Sequence, residues 1–148
     1  MRPNSWSRII FLLIQMFTFV CIINSISFAI VKVYVVDNFD SFTYNLVHYL
    51  EGEGANVIVE RNDEISWDSV DSCDKILLSP GPGLPKQSGM LMEVIARYIG
   101  IKPIFGVCMG HQAIAEHFGL KLANLDQVYH GVAHECFVLQ DHYLFDDV

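Results

Sequence analysis

From residue 31 onward, short apolar runs alternate with amphipathic stretches. The apolar runs predict four buried strands, at residues 31–36, 56–60, 75–79 and 103–107. Apolar positions at helical spacing predict two helices between them. The first carries Phe42, Leu46, Val47 and Leu50 and ends at Gly52 or Gly54, and the second covers Met90–Ile99 and ends at Gly100. This order predicts an α/β fold with an open, mostly parallel sheet and helices on both faces.

Beyond Gly119 the pattern changes. Residues 128–139 hold short apolar runs with little helical spacing, which indicates the start of an antiparallel edge. We therefore expect residues 31–148 to form one domain and residues 1–30 to be a separate extension.

The extension has no charged residue between positions 9 and 31, which is long enough to span a bilayer. Arg2 and Arg8 before this apolar run, and the small-x-small triplet Ser27-Phe28-Ala29 after it, also fit a signal peptide. A third interpretation is a dispensable segment translated from an upstream start, because the first predicted strand follows without a linker. We expect the third, and hence a cytoplasmic protein, with the signal peptide and the membrane anchor as alternatives.

Charge narrows the choice of partners. All 17 acidic residues but only seven of the nine basic ones lie beyond residue 30, so the domain carries a formal charge of −10. An acidic domain argues against nucleic acid or an anionic membrane surface as a partner. The four cysteines, at positions 21, 73, 108 and 136, form no CxxC pair and no metal-like spacing with histidine. We expect reduced thiols, no metal site and no cofactor.

The most informative stretch is Gly106-Val107-Cys108-Met109-Gly110-His111-Gln112, between a predicted strand and a helix that runs from Gln112 to Phe118. Glycines two residues before and after Cys108 allow a tight turn and a close backbone approach to a substrate. Cys108 then lies at a helix N-terminus, where unpaired N–H groups favour a thiolate and can stabilise an oxyanion. The pattern predicts a nucleophilic cysteine and acyl transfer.

Two further stretches lie at the carboxyl ends of predicted strands, at the same sheet edge as Cys108. Open parallel sheets bind ligands at this edge. Ser79-Pro80-Gly81-Pro82-Gly83-Leu84-Pro85 lacks both a dinucleotide fingerprint and a phosphate loop. It suggests either a rigid backbone wall with an oxyanion donor facing Cys108 or an ordinary turn. Asp37-Asn38-Phe39-Asp40-Ser41-Phe42-Thr43-Tyr44-Asn45 suggests helix capping by Asp40 or Ser41 and an interaction surface.

Taken together, the three stretches resemble the glutaminase subunit of anthranilate synthase and aminodeoxychorismate synthase, among the class I, triad-type glutamine amidotransferases. The resemblance covers residues 31 to about 145 and implies a flavodoxin-like fold. It implies that Cys108 attacks the side-chain amide of glutamine and that Gln112 helps to bind glutamine. The oxyanion would be held by the N–H of Met109, next to Cys108, and by that of Gly83, in the loop that contains Gly81 and Pro82. The released ammonia would pass to a separate synthase subunit that uses it on chorismate.

The sequence departs from this family at the catalytic base. Relatives carry His-x-Glu near the C-terminus, and none occurs in the 40 residues after Cys108. His134-Glu135 is adjacent rather than spaced, and His111 has no evident carboxylate partner. We therefore expect a domain incomplete at its C-terminus, which is either a glutaminase whose remaining residues lie elsewhere or a non-catalytic product that binds a partner. Overall resemblance favours the anthranilate over the aminodeoxychorismate pathway.

Overall fold

Four parallel strands form the centre of the protein. The computed structural model describes residues 30–124. Strands β1 (Lys32–Asp37), β2 (Asn56–Arg61), β3 (Lys75–Leu78) and β4 (Ile104–Gly106) form one sheet in the order β2-β1-β3-β4. The pairing sets Tyr34 beside Ile58 and Ile76, and Ile76 beside Ile104. This confirms the predicted open parallel sheet.

Helices cover both faces of the sheet, as expected for parallel strands. Helix α1 (Thr43–Gly52) lies against β1 and β2 and contributes Leu46, Val47 and Leu50 to the buried interior. Helices α2 (Trp67–Asp71), α3 (Leu91–Tyr98) and α4 (Met109–His117) pack on the other face. Their core there includes Tyr34, Val36, Ile76, Leu78, Val70, Val94, Ile95, Met109 and Ala113.

Several predicted boundaries are corrected by the structure. The helical spacing predicts Phe42 within α1, but the helix begins at Thr43, which is fully buried, while Phe42 is 45% exposed. Helix α4 begins at Met109 instead of Gln112, because the chain turns within the single residue Cys108. Helix α2, with Ser66 as its N-cap, was not predicted, since five residues are too few to show helical spacing. The predicted extension (1–30) and the edge at 128–139 lie outside the described residues, apart from Ile30.

The strand order creates a switch point that positions the site. The chain leaves β1 toward β2 on one side and returns to β3 on the other, so the loops after β1 and β3 diverge at the sheet's carboxyl edge. Open α/β sheets bind ligands at such a point. The segments after β1, β3 and β4 are the three singled out in the sequence.

Candidate active site

Cys108 occupies a sharp turn between β4 and α4. Its backbone has φ 52° and ψ −106°, a conformation that favours glycine, and its side chain is exposed. Such a conformation costs on the order of 1–3 kcal/mol and persists only where the surroundings enforce it. The turn presents the thiol to solvent at the first turn of α4, as the sequence predicts.

Two glycines make this turn possible by letting the backbone pack against itself. A Cβ on Gly106 would lie 2.5 Å from the amide nitrogen of His111, and one on Gly110 would lie 2.5 Å from the Leu78 Cβ and closer still to the Leu78 carbonyl oxygen. The close approach that the structure shows at these glycines is between α4 and strands β3 and β4, whereas the approach to a substrate stays a prediction. Hydrogen bonds from the Val107 amide to the Leu78 carbonyl (3.0 Å) and from the Gly110 amide to the Val107 carbonyl (3.0 Å) hold the turn.

The loop after β3 approaches the nucleophile through Gly81. A Cβ on Gly81 would lie 3.1 Å from Sδ of Met109, the residue after Cys108. Pro82 and Gly83 are exposed, and Gly83 has φ 81°. Gln112 is partly exposed one turn along α4, and its amide donates to the Cys108 carbonyl at 3.0 Å. The structure thus brings Gly81 to Met109, places Gln112 on the helix of Cys108, and leaves Pro82 and Gly83 on the open side of the loop.

The amides expected to hold an oxyanion have no partner in the described part of the chain. Within residues 30–124, neither the Gly83 N–H nor the Met109 N–H donates a hydrogen bond. Met109 is the first residue of α4, so its amide is one of the N-terminal donors that a helix leaves unpaired. These donors are therefore available to an anion.

Asp37, the last residue of β1, and Asn38, which follows it, are both buried. Asp37 accepts hydrogen bonds from the Thr43 hydroxyl (2.8 Å) and the Asp40 amide (3.3 Å), and Asn38 is 2% exposed. The predicted cap by Asp40 or Ser41 is wrong: Phe42 is the N-cap of α1 and no side chain caps the helix. Asp40 instead accepts from the Phe42 amide at 2.8 Å, which closes the turn before the helix.

Exposed aromatic rings follow on the same segment. Phe39 has φ 60° and is 49% exposed, and the Arg61 guanidinium lies 5.1 Å from its ring centroid. An open polar cavity of about 330 Å³ lies next to the Tyr44 ring and Arg61, and Cys108 does not line it. It is lined by Asp37, Tyr44, Val59, Glu60, Arg61 and Glu64. Because it lies on the β2 side of the switch point, we do not assign it to the chemistry of Cys108.

The remaining predictions concern histidine partners, metal sites and membrane-spanning helices. His111 is exposed, and within residues 30–124 it forms no ion pair with a carboxylate. His134 and Glu135 lie outside the described residues. In the same range no three His, Cys, Asp or Glu side chains gather as a metal site would require. No helix between residues 30 and 124 is long and apolar enough to cross a membrane.

Three polar residues around the loop after β3 were not recognised as a group from the sequence. Asn38, Asn62 and Ser79 are all at most 4% exposed and are joined by hydrogen bonds. Each follows the carboxyl end of a strand, β1, β2 or β3. That shared placement is the signal that could have identified them.

Comparisons with known proteins agree with the fold and the three segments. The chain is 46% identical over 99 residues to aminodeoxychorismate/anthranilate synthase component 2 of Bacillus subtilis, covering 66% of this chain and 51% of that one. It is 46% identical to aminodeoxychorismate synthase component 2 of Escherichia coli (66% and 53% covered) and 47% identical to anthranilate synthase component 2 of Thermus thermophilus (69% and 51% covered). The chain thus spans about half the length of the curated relatives it matches.

A solved structure shares the architecture. A GMP synthase subunit of Thermoplasma acidophilum superposes with a TM-score of 0.53 at 32% identity, over 63% of this chain and 47% of that one. The family profile of Glutamine amidotransferase class-I matches residues 34–147, which include most of β1, the loop after β3 and Cys108. The chain therefore belongs to the class-I glutamine amidotransferase family.

Proposed function

We propose that the chain is the glutaminase part of a chorismate-using synthase. The observation that carries this is the exposed Cys108 on an enforced positive-φ turn at the start of α4, beside a glycine loop whose Gly83 amide donates no hydrogen bond within residues 30–124. The three relatives named above are all component 2 subunits of such synthases, which supports the same role.

In this proposal Cys108 provides the nucleophile. Its sulfur attacks the side-chain carbonyl carbon of glutamine, and the N–H groups of Gly83 and Met109 hold the oxygen as it becomes negative. Gln112, one turn along the same helix, helps to bind the substrate. Collapse of the adduct breaks the C–N bond and leaves a γ-glutamyl thioester, and the nitrogen takes up a proton and departs as ammonia. Water then cleaves the thioester to glutamate and restores the thiol.

The sequence offers no evident residue pair for the proton transfers of this reaction. The reaction needs a general base to activate the thiol and a general acid for the leaving nitrogen. His111 and His134 are the histidines of this sequence that we consider for that role, and neither belongs to a His-x-Glu pair. We therefore propose that a polypeptide of these 148 residues hydrolyses glutamine very slowly on its own. The alternative is a non-catalytic chain that only binds a partner.

The partner in this proposal is a synthase component I that uses ammonia on chorismate. We favour anthranilate, and hence tryptophan biosynthesis, with aminodeoxychorismate and folate biosynthesis as the alternative. Relatives of both kinds match at 46–47% identity, so similarity alone does not separate them. Residues 31–148 would form the amidotransferase domain in the cytoplasm, and residues 1–30 would lie outside it.

The test is modification by a glutamine analogue in which a chloromethyl ketone replaces the amide. The analogue should alkylate Cys108 faster than iodoacetamide does, and free glutamine should protect it. Cys108→Ser should abolish the modification, whereas Cys73→Ser should leave its rate unchanged. Absence of glutamine protection would count against a glutamine site. Supplying component I of each synthase, with glutamine or ammonium as the nitrogen source, would then identify the pathway by its product.

A further inference from the structure

A buried pair of asparagines lies beneath the loop after β3. Asn38 donates from its backbone amide to the Ser79 hydroxyl (2.9 Å) and from Nδ2 to the Ser79 carbonyl (2.8 Å). Its Oδ1 accepts from Nδ2 of Asn62 at 2.9 Å. Asn38 therefore joins the residue that starts the loop to a residue that follows a different strand.

The backbone of Asn62 contacts Met90, the residue that follows the loop. Its carbonyl accepts from the Met90 amide at 2.7 Å, and its own amide donates to the Asp37 carbonyl at 2.9 Å. A Cβ on Gly89 would lie 2.5 Å from the Asn62 carbonyl oxygen, so only glycine permits this approach. The two asparagines thus fix both Ser79 and Met90, the residues that flank positions 80–89.

The same pair sets the distance between the loop and the nucleophile helix. A Cβ on Gly81 would lie 2.5 Å from the Asn38 Cβ and 2.6 Å from the Asn38 carbonyl oxygen, which shows how closely the loop backbone rests on Asn38. Near the other end of the loop, the Ser88 hydroxyl lies 3.1 Å from Sδ of Met109. Moving Asn38 would therefore move Gly81 relative to Met109.

We propose that Asn38 and Asn62 are positioning residues, which hold the glycine loop at a fixed distance from Cys108 so that the Gly83 amide faces a developing oxyanion. This inference rests on the proposed function for its chemical meaning. Displacements of about 1 Å in such a site lower rates by about a hundredfold, and supporting residues set that precision.

The chemistry of the amide side chain explains the residue type. Asn38 needs a donor toward the Ser79 carbonyl and an acceptor toward Asn62, and a carboxamide supplies both. In Asn38→Asp the shape is retained, but an oxygen replaces Nδ2 and faces the Ser79 carbonyl. Buried polar groups without a partner are costly, so the loop would shift to relieve the contact.

The experiment compares two reagents at Cys108 in the full chain. The chloromethyl ketone analogue of glutamine places a carbonyl oxygen where the loop amides act, whereas iodoacetamide needs only an accessible thiol. In Asn38→Asp and Asn62→Asp the rate with the analogue should fall about tenfold or more, while the iodoacetamide rate stays within about twofold. Asn56→Asp makes the same change on an exposed residue at the start of β2, and Val47→Ala lowers stability away from the loop. Both should keep the ratio of the two rates.

Hydrogen exchange provides a measure that does not depend on glutamine chemistry. Within residues 81–89 the Gln87 and Ser88 amides donate to the Leu84 and Pro85 carbonyls. These two protected amides should exchange about tenfold faster in the two Asp variants than in Asn56→Asp. Unchanged exchange there, or equal losses with both reagents, would overturn the positioning role. If the unsubstituted chain shows no preference for the analogue, the proposed function fails and exchange alone decides whether the asparagines hold the loop. Should Asn38→Asp not fold, Ser79→Ala, which removes only the hydroxyl, is judged by the same criteria.

Discussion

Iodoacetamide should distinguish Cys108 from Cys73 at neutral pH. Cys108 is exposed at the start of α4, whereas Cys73 is 2% exposed in the core between β3 and the helices. Burial also raises the pKa of the Cys73 thiol, which lowers the fraction of reactive thiolate. Cys108 should therefore react much faster.

The size of the difference follows from the opening that Cys73 requires. The reagent reaches a thiol in the core only after local unfolding, and an opening free energy of about 3 kcal/mol is modest for a core position. Since about 1.4 kcal/mol corresponds to a factor of ten, the accessible fraction falls by roughly a hundredfold. The raised pKa of the buried Cys73 thiol suppresses reaction without opening, so the opening free energy sets the expected ratio at roughly a hundredfold.

Peptide-resolved mass spectrometry gives the two rates in one experiment. In concentrated guanidinium both thiols are accessible, and their rates should agree within a few-fold; this control shows that the native ratio comes from structure. A native rate at Cys73 or Cys136 equal to that at Cys108 would refute the reasoning, because the turn would then confer no special access or reactivity.

Four further outcomes are expected. Gly110→Ala should lower the free energy of unfolding by about 2 kcal/mol or more, because its Cβ would overlap the Leu78 backbone; Gly52→Ala, with open space around it, is the control in the same denaturation series. Burial opposes ionisation of Glu60, but hydrogen bonds from the Tyr34 hydroxyl and the Ser66 amide outweigh it and lower the pKa of this carboxyl. The free energy of unfolding should therefore fall as pH drops below about 4.3. The Glu60→Gln variant should lose less of its stability over the same pH range. Glutamate release by the purified chain should stay far below about 1 s⁻¹, and a rate at that level would assign a base to His111 or His134. Residues 1–30 should be dispensable for the domain, so a polypeptide that starts at Ile30 should be at least as soluble as the full chain; fractionation of the full chain with membranes in its native cell would instead make the extension a targeting signal.

The sheet was predictable because its strands are marked by continuous apolar runs. Strands β1 and β3 appear within one residue of their predicted bounds, since residues 31–36 and 75–79 contain little that fits a surface helix. The apolar run before Gly106 and the glycines on either side of Cys108 also placed this cysteine correctly between a strand and a helix.

Details that depend on contacts between distant residues were not predictable. Asn38 and Asn62 are 24 residues apart, and their hydrogen bond exists only because β1 and β2 end side by side. The start of α4 was misplaced by three residues because spacing does not show that one residue, Cys108, turns the chain alone. Likewise, the pattern could not show that Thr43 would take the buried position expected of Phe42.

The positive φ of Cys108 costs stability at the residue that supplies the nucleophile in the proposed reaction. Glycine adopts this conformation without strain, so Cys108→Gly should relieve on the order of 1 kcal/mol while removing the sulfur. Selection for stability alone would therefore replace the very residue that the proposed reaction requires. Libraries of this protein screened only by thermal resistance should accumulate glycine at position 108, and a stabilised variant that keeps cysteine there must gain its stability from other positions.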